Sequence, residues 1–182
     1  GEIERCRRSI YCSGIIEKYD DAYPVWAFVE IITLGRFVDF YGFCAKRFAD
    51  RDMMDNYYNL LTCKKIRNAS AHNNCILNDL KARTSTNVTN ASITAKLMTI
   101  QGMNMNFRKN RMSNARIQQI VILFYLHKTM VESDGIRKAA EDELQKLMGR
   151  VNKHQEYYLS NSMISSTFNF LKLVVDNWFK TA

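Results

Sequence analysis

The sequence predicts an all-α protein, a bundle of about six or seven helices. Three observations predict this fold class. The 182 residues include one Pro and seven Gly, so residues that interrupt helices are scarce. Apolar residues recur at helical spacing along most of the chain, and no segment shows sustained alternation of apolar and polar residues. Hydrophobic residues make up 47% and charged residues 24%, which suits a single domain over residues 1–182.

The first half of the chain holds four predicted helices. Residues 3–19 carry apolar positions three or four apart, and residues 20–23, Asp-Asp-Ala-Tyr, are expected to end that helix. Pro24 suits the first turn of the next helix, residues 25–33, which is apolar nearly all round and should lie in the core. Gly35 is expected to end or bend it. An aromatic-rich helix and a longer helix with room for one break are predicted at residues 36–48 and 53–78.

The second half alternates loops with helices. Residues 81–90, rich in Thr and Asn, and residues 102–113 are predicted to be loops. Ser165 or Ser166 is expected to cap the last helix. The predicted helices of this half are residues 114–131, 136–151 and 167–179, with residues 93–100 forming at most a short helix.

The charge of the chain favours an anionic partner. Its formal net charge is +8 and its pI is about 9.3. RNA, DNA and acidic membrane surfaces all qualify, and a basic surface that only serves solubility is equally compatible. No apolar run reaches about 18 residues without a charge, so neither a membrane span nor a membrane partner is expected.

The cysteines indicate a reducing compartment. Their number is five, which is odd, and no two of them form a CxxC pair. Free thiols in the cytoplasm are therefore expected, without a disulfide framework or a zinc site. The chain starts at Gly1 and not at Met, so an N-terminal portion of the full protein can be missing.

Most catalytic motifs are absent from the sequence. The three His residues, His72, His127 and His154, are far apart and form no HExxH pair, and both Gly-rich phosphate loops are missing. No metal or cofactor is therefore expected. A Ser-His-Asp triad stays open, although no nucleophile elbow supports one.

One segment, residues 64–72, brings Arg67, Asn68 and His72 close together among small residues. On a helix Asn68 and His72 share a face, and Arg67 lies about 140° from His72, within reach of its long side chain. These residue types suit RNA cleavage without a metal. His can take a proton from a ribose 2′-hydroxyl or give one to the leaving 5′-oxygen, and Arg can stabilise charge on phosphate.

The same three residues also have an ordinary structural interpretation. Arg67 can be a surface charge and Asn68 a local hydrogen-bonding group. His72 can be a partly buried histidine whose ring nitrogens have hydrogen-bond partners. Spacing alone does not decide between the two interpretations, because an Arg and a His with four residues between them make a weak motif.

A resemblance favours the chemical interpretation. The segment from Arg67 to Asn74, RNASAHNN, resembles the Arg-Asn-x-x-Ala-His signature of the Abi-like (AbiD/AbiF) abortive-infection family, which belongs to the HEPN superfamily. Residues 24–30 followed by Leu34-Gly35 resemble the Pro-x-Trp, Glu and Leu-Gly block of that family, in the same order. Cys75 and Leu77 stand where many relatives carry a basic and an aromatic residue.

The resemblance implies a HEPN-like bundle with endoribonuclease activity in phage defence or in a toxin–antitoxin system. Arg67, Asn68 and His72 would be its catalytic residues, two chains would form a homodimer around the site, and an antitoxin is a further candidate partner. The alternative is a non-catalytic RNA-binding or protein-interaction HEPN module. The predicted RNA-binding residues are Lys64, Lys65, Asn78, Arg108, Lys109 and Arg111.

Overall fold

The structure is a computed structural model that describes residues 1–19 and 22–180. Within these residues it contains ten α-helices, one 3₁₀ turn and no strand, which confirms the all-α fold class with more helices than predicted. Of the expected break at residues 20–23, Ala22 and Tyr23 are described and lie outside any helix, whereas Asp20 and Asp21 lie outside the described residues. The helices are α1 Glu2–Arg7, α2 Ser13–Tyr19, α3 Val25–Ile31, α4 Leu34–Arg47, α5 Arg51–Ala71, α6 Ala91–Met98, α7 Met105–Met112, α8 Ala115–Met130, α9 Asp134–Lys153 and α10 Ser162–Trp178, with the 3₁₀ turn at Gln155–Tyr157.

The chain divides into two compact units, residues 1–60 and 61–182. In the first unit, Cys6, Ile16 and Ile31 form a small buried cluster, and the Cys6 thiol donates to the Ile31 carbonyl at 3.1 Å. Gly42 of α4 lies so close to the Tyr57 ring of α5 that a Cβ at position 42 would come within 2.5 Å of it. A side chain at position 42 would therefore push the two helices apart.

Several predictions for the first unit are wrong in detail. The helix expected over residues 3–19 is two helices, α1 and α2, separated by turns. Gly35 does not end α3 but lies in the first turn of α4, because Thr33 accepts a bond from the Arg36 amide and caps that helix. Trp26, expected in the core, is 58% exposed, with its ring edge-to-face against Tyr19.

The second unit is organised around α10, which packs against α7, α8 and α9. Its core contains Phe170 and Val174 of α10 together with Ile117 and Val121 of α8, all four fully buried. Four neighbouring aromatic pairs add to the packing of this unit. This core is large enough to hold the ends of the surrounding helices in fixed positions.

Asparagine caps four helices of the second unit. The side-chain oxygens of Asn90, Asn104, Asn114 and Asn161 accept bonds from amides in the first turns of α6, α7, α8 and α10. The expected cap of the last helix at Ser165 or Ser166 is wrong, because Asn161 caps α10 about one turn earlier. The predicted loop at residues 102–113 is also wrong, because Asn104 starts α7 there.

Candidate active site

The candidate site lies at the carboxyl end of α5. This helix ends six or seven residues before the predicted end near Asn78, because Asn73 adopts a left-handed conformation with φ 53°. The Asn73 amide donates to the Ser70 carbonyl at 3.1 Å and the Asn74 amide to the Ala69 carbonyl at 2.9 Å. This pair of bonds is the Schellman arrangement, in which Asn is the usual substitute for Gly. This arrangement makes His72 the C-cap residue of α5, and its side chain is exposed to solvent.

Arg67 and Asn68 interact directly at the surface of α5. The Arg67 Nη1 donates to the Asn68 Oδ1 at 3.2 Å, so the guanidinium is turned towards the face that carries Asn68. The His72 amide donates to the Asn68 carbonyl at 3.1 Å, which keeps helical spacing up to His72. All three side chains are exposed, whereas Thr62 and Ile66 on the other side of the helix are buried.

Two lysines share the exposed face of α5. By helical geometry Lys64, Asn68, His72 and Lys65 lie within an arc of about 100°. Lys65 is exposed and Lys64 partly exposed. The carbonyls at the end of a helix disfavour an anion, so the positive charges of Lys64, Lys65 and Arg67 are what makes this surface suitable for phosphate.

The comparison with protein families gave one match, over the helices that build this site. Residues 2–78 match the Abi-like protein family. The Abi-like segment thus contains all three candidate catalytic residues, and the resemblance inferred from two short blocks is confirmed. The match connects the chain with abortive-infection systems. No curated protein and no solved structure matches the chain.

Asn78, the last residue of the Abi-like segment, is held from α8. Its side-chain oxygen accepts from the Arg116 Nε at 3.2 Å, and Arg116 also donates to Gln119 at 3.4 Å. Arg116 is not among the site residues predicted from the sequence. A basic residue in the first turn of a helix interacts unfavourably with the helix dipole. This unusual position could have indicated from the sequence that Arg116 has a specific partner.

The predicted loop at residues 81–90 is confirmed, and its backbone is fixed to α8. The buried Asn114 donates from Nδ2 to the carbonyls of Asp79 and Lys81 at 2.9 and 2.8 Å. The buried Gln118 donates to the Asn87 carbonyl at 2.9 Å. These bonds determine the path of the chain just after the candidate site.

The three basic residues predicted as an RNA-binding loop are on α7 instead. Arg108 is only 8% exposed. Arg111 donates from Nη1 to the Thr167 hydroxyl at 3.1 Å and to the Met163 carbonyl at 3.4 Å, which joins α7 to α10. Lys109 remains exposed. RNA contact by these residues stays a prediction, and the positions favour it for Lys109 over Arg108 and Arg111.

Among the described residues, no group of three His, Cys, Asp or Glu side chains is arranged to hold a metal ion. None of the described helices combines the length and apolar character that crossing a membrane requires.

Proposed function

We propose that this chain is a metal-independent endoribonuclease of an abortive-infection or toxin–antitoxin system, with Arg67, Asn68 and His72 as its active site. The observation that carries the proposal is the hydrogen bond of 3.2 Å between Arg67 and Asn68 beside the exposed His72, within a segment that matches the Abi-like family. All three side chains are exposed, so an RNA strand can reach them from solvent.

The proposed reaction uses the ribose 2′-hydroxyl as nucleophile. A base takes the 2′-hydroxyl proton as the 2′-oxygen bonds to phosphorus, and the bond from phosphorus to the 5′-oxygen breaks. An acid gives a proton to that leaving oxygen, so the products are a 2′,3′-cyclic phosphate and a 5′-hydroxyl. His72 suits either proton transfer, and Arg67 stabilises the charge that develops on the phosphate oxygens.

The reaction needs a base and an acid on opposite sides of the phosphorus, which is the argument for a homodimer. One chain offers one His near Arg67, since His127 belongs to α8 and His154 follows α9. A two-fold symmetric pair of α5 ends would supply a second His72. Ala69 and Ala71, next to the site, would permit close approach of the second chain.

The test is cleavage of a single-stranded RNA by the full chain in EDTA. The wild type should cut and leave cyclic phosphate ends. His72→Ala should abolish cleavage, and Arg67→Ala should reduce the rate by about 10²-fold or more, the usual effect of losing one preorganised charged donor. Matched controls are His154→Ala, and Arg51→Ala at the other end of the same helix. Both should cut at the wild-type rate.

Three outcomes would count against this function. If folded His72→Ala cuts as fast as wild type, the site assignment is wrong. If activity disappears in EDTA and returns with magnesium or manganese, the mechanism requires a metal. If the wild type binds RNA in a salt-dependent manner but never cuts it, the alternative of a non-catalytic RNA-binding module is correct.

A further inference from the structure

The second unit contains a cavity of about 490 Å³ that the proposed RNA site does not use. It lies among the end of α8, the first half of α9 and the end of α10. Its volume is within the range of roughly 300–1,000 Å³ that is usual for small-molecule pockets. Four cations line it, and these are Lys128, Arg137, Lys138 and Lys180.

The carboxylates of the cavity act unequally on these cations. Lys138 donates to Asp142 at 2.7 Å, and this bond and the nearby Glu141 raise the pKa of Lys138. Asp134 is 3.8 Å from Arg137 and almost fully exposed, so solvent weakens that ion pair. The lining of the cavity thus carries four cations and two carboxylates, Asp134 and Glu141, and has an excess of positive charge.

Lys128 of α8 and Arg137 of α9 are held in place by hydrogen bonds that leave other N–H donors available. The Lys128 ammonium donates to the Trp178 carbonyl at 2.7 Å, and the Arg137 Nε donates to the Val131 carbonyl at 2.5 Å. A lysine has three N–H donors and an arginine five. Among the bonds of the described residues, most of these donors are therefore left for a ligand.

Mutual repulsion of the basic groups supports an anionic ligand. Burial lowers the pKa of Lys128 most, and the positive charges of Lys96 and Arg137 lower it further. Burial and then Arg137 lower the pKa of His127. An anion placed between these groups would relieve the repulsion.

Apart from its charged residues and His127, the lining of the cavity is aromatic. Trp178 and Phe179 line it at the end of α10, and the Phe179 ring centroid is 5.6 Å from that of His127. A ligand that fits this cavity would thus have an anionic end beside the cations and an apolar or planar end beside the aromatic residues.

We propose that this cavity binds a phosphorylated ligand of mononucleotide size, with the phosphate on Arg137 and Lys128 and the base against the Trp178–Phe179 side. The proposal is independent of RNA cleavage, because it concerns other residues. The phosphate can belong to a free nucleotide or to the 5′ end of an RNA, and the two sources can be separated experimentally.

The experiment is calorimetric titration of the full chain with AMP, adenosine and inorganic phosphate. We expect one AMP per chain, and at least about 10-fold weaker binding of adenosine and of phosphate alone, since a hydrogen bond to a charged group contributes that much. Arg137→Gln and Lys180→Gln should each weaken AMP binding, Arg137→Gln by about 10-fold or more. Arg150→Gln, the same change on the same helix but outside the cavity, should leave binding within about twofold.

A fluorescence measurement locates the ligand. The chain has two Trp residues, so Trp26→Phe leaves Trp178 as the only one, and AMP should change its emission. The proposal is overturned if no saturable binding occurs, if adenosine binds as tightly as AMP, or if Arg137→Gln and Arg150→Gln behave alike. Displacement of AMP by 5′-phosphorylated but not 5′-hydroxyl RNA would support an RNA end as the ligand, and no displacement by either RNA would support a free nucleotide.

Discussion

Asn114 has two structural roles, and replacing it with Ala should be unusually destabilising. Its Oδ1 caps α8 by accepting from the amides of Arg116 and Ile117, both at 2.9 Å. Its Nδ2 holds the carbonyls of Asp79 and Lys81, and the side chain is 2% exposed. Loss of a cap costs about 1 kcal/mol and loss of each buried bond about 1 kcal/mol more, so we expect a loss of roughly 3 kcal/mol.

Two variants separate the roles of Asn114. Asn104→Ala is the matched control, because Asn104 is exposed and caps α7 by accepting from the Phe107 amide at 2.8 Å. Within the described residues its side chain donates to no loop carbonyl, unlike that of Asn114. It should cost about 1 kcal/mol. Asn114→Asp keeps the cap oxygen but loses the donors, so it should retain most of the defect of Asn114→Ala.

The assay is unfolding by urea and heat, with amide hydrogen exchange over residues 79–90. A chain of this size should lose roughly 6–12 °C in Tm for Asn114→Ala and roughly 2–4 °C for Asn104→Ala. The amides of Arg83 and Ser85, which donate to Ser113, should exchange faster in the former. Equal losses for the two alanine variants, or unchanged exchange in the loop, would refute the reasoning.

Three further predictions concern assembly, thiols and pH. Excess His72→Ala protein, after subunit exchange with wild type, should depress RNA cleavage more than dilution explains; an active monomer in light scattering would contradict the dimer. Burial raises the pKa of Cys63 to about 12, whereas Cys75 is exposed, so Cys75 should react faster with a thiol reagent at pH 8. The fast phase of thiol modification should therefore disappear in Cys75→Ser and remain in Cys63→Ser. Burial and Arg137 lower the pKa of His127, so the unfolded chain binds more protons and the free energy of unfolding should fall as pH drops below about 6.5. In His127→Gln this fall should be smaller in chemical denaturation, and an unchanged pH dependence would show that His127 does not cause it.

Local sequence patterns predicted the elements whose stability depends on near neighbours in the chain. The helix predicted at residues 114–131 is α8, Ala115–Met130, with Asn114 as its cap. The candidate catalytic residues could be grouped because they occupy consecutive turns of one helix, and helical spacing alone put Asn68 and His72 on one face. The end of α5 was also encoded locally, in Asn73, but it was missed because Asn is a weaker signal than Gly for a left-handed residue.

The sequence by itself determined the helical class, the Abi-like resemblance and the position of the Arg67, Asn68 and His72 cluster. Only the tertiary structure decided which basic residues face solvent, since the burial of Arg108 and the bonds of Arg111 depend on how α7 packs in the second unit. The basic cavity was likewise invisible, because its lining comes from residues 127–128, 134–141 and 178–180. A periodic pattern reports which face of one helix is apolar, but charges on separate helices become neighbours only when packing of the core brings the helix ends together.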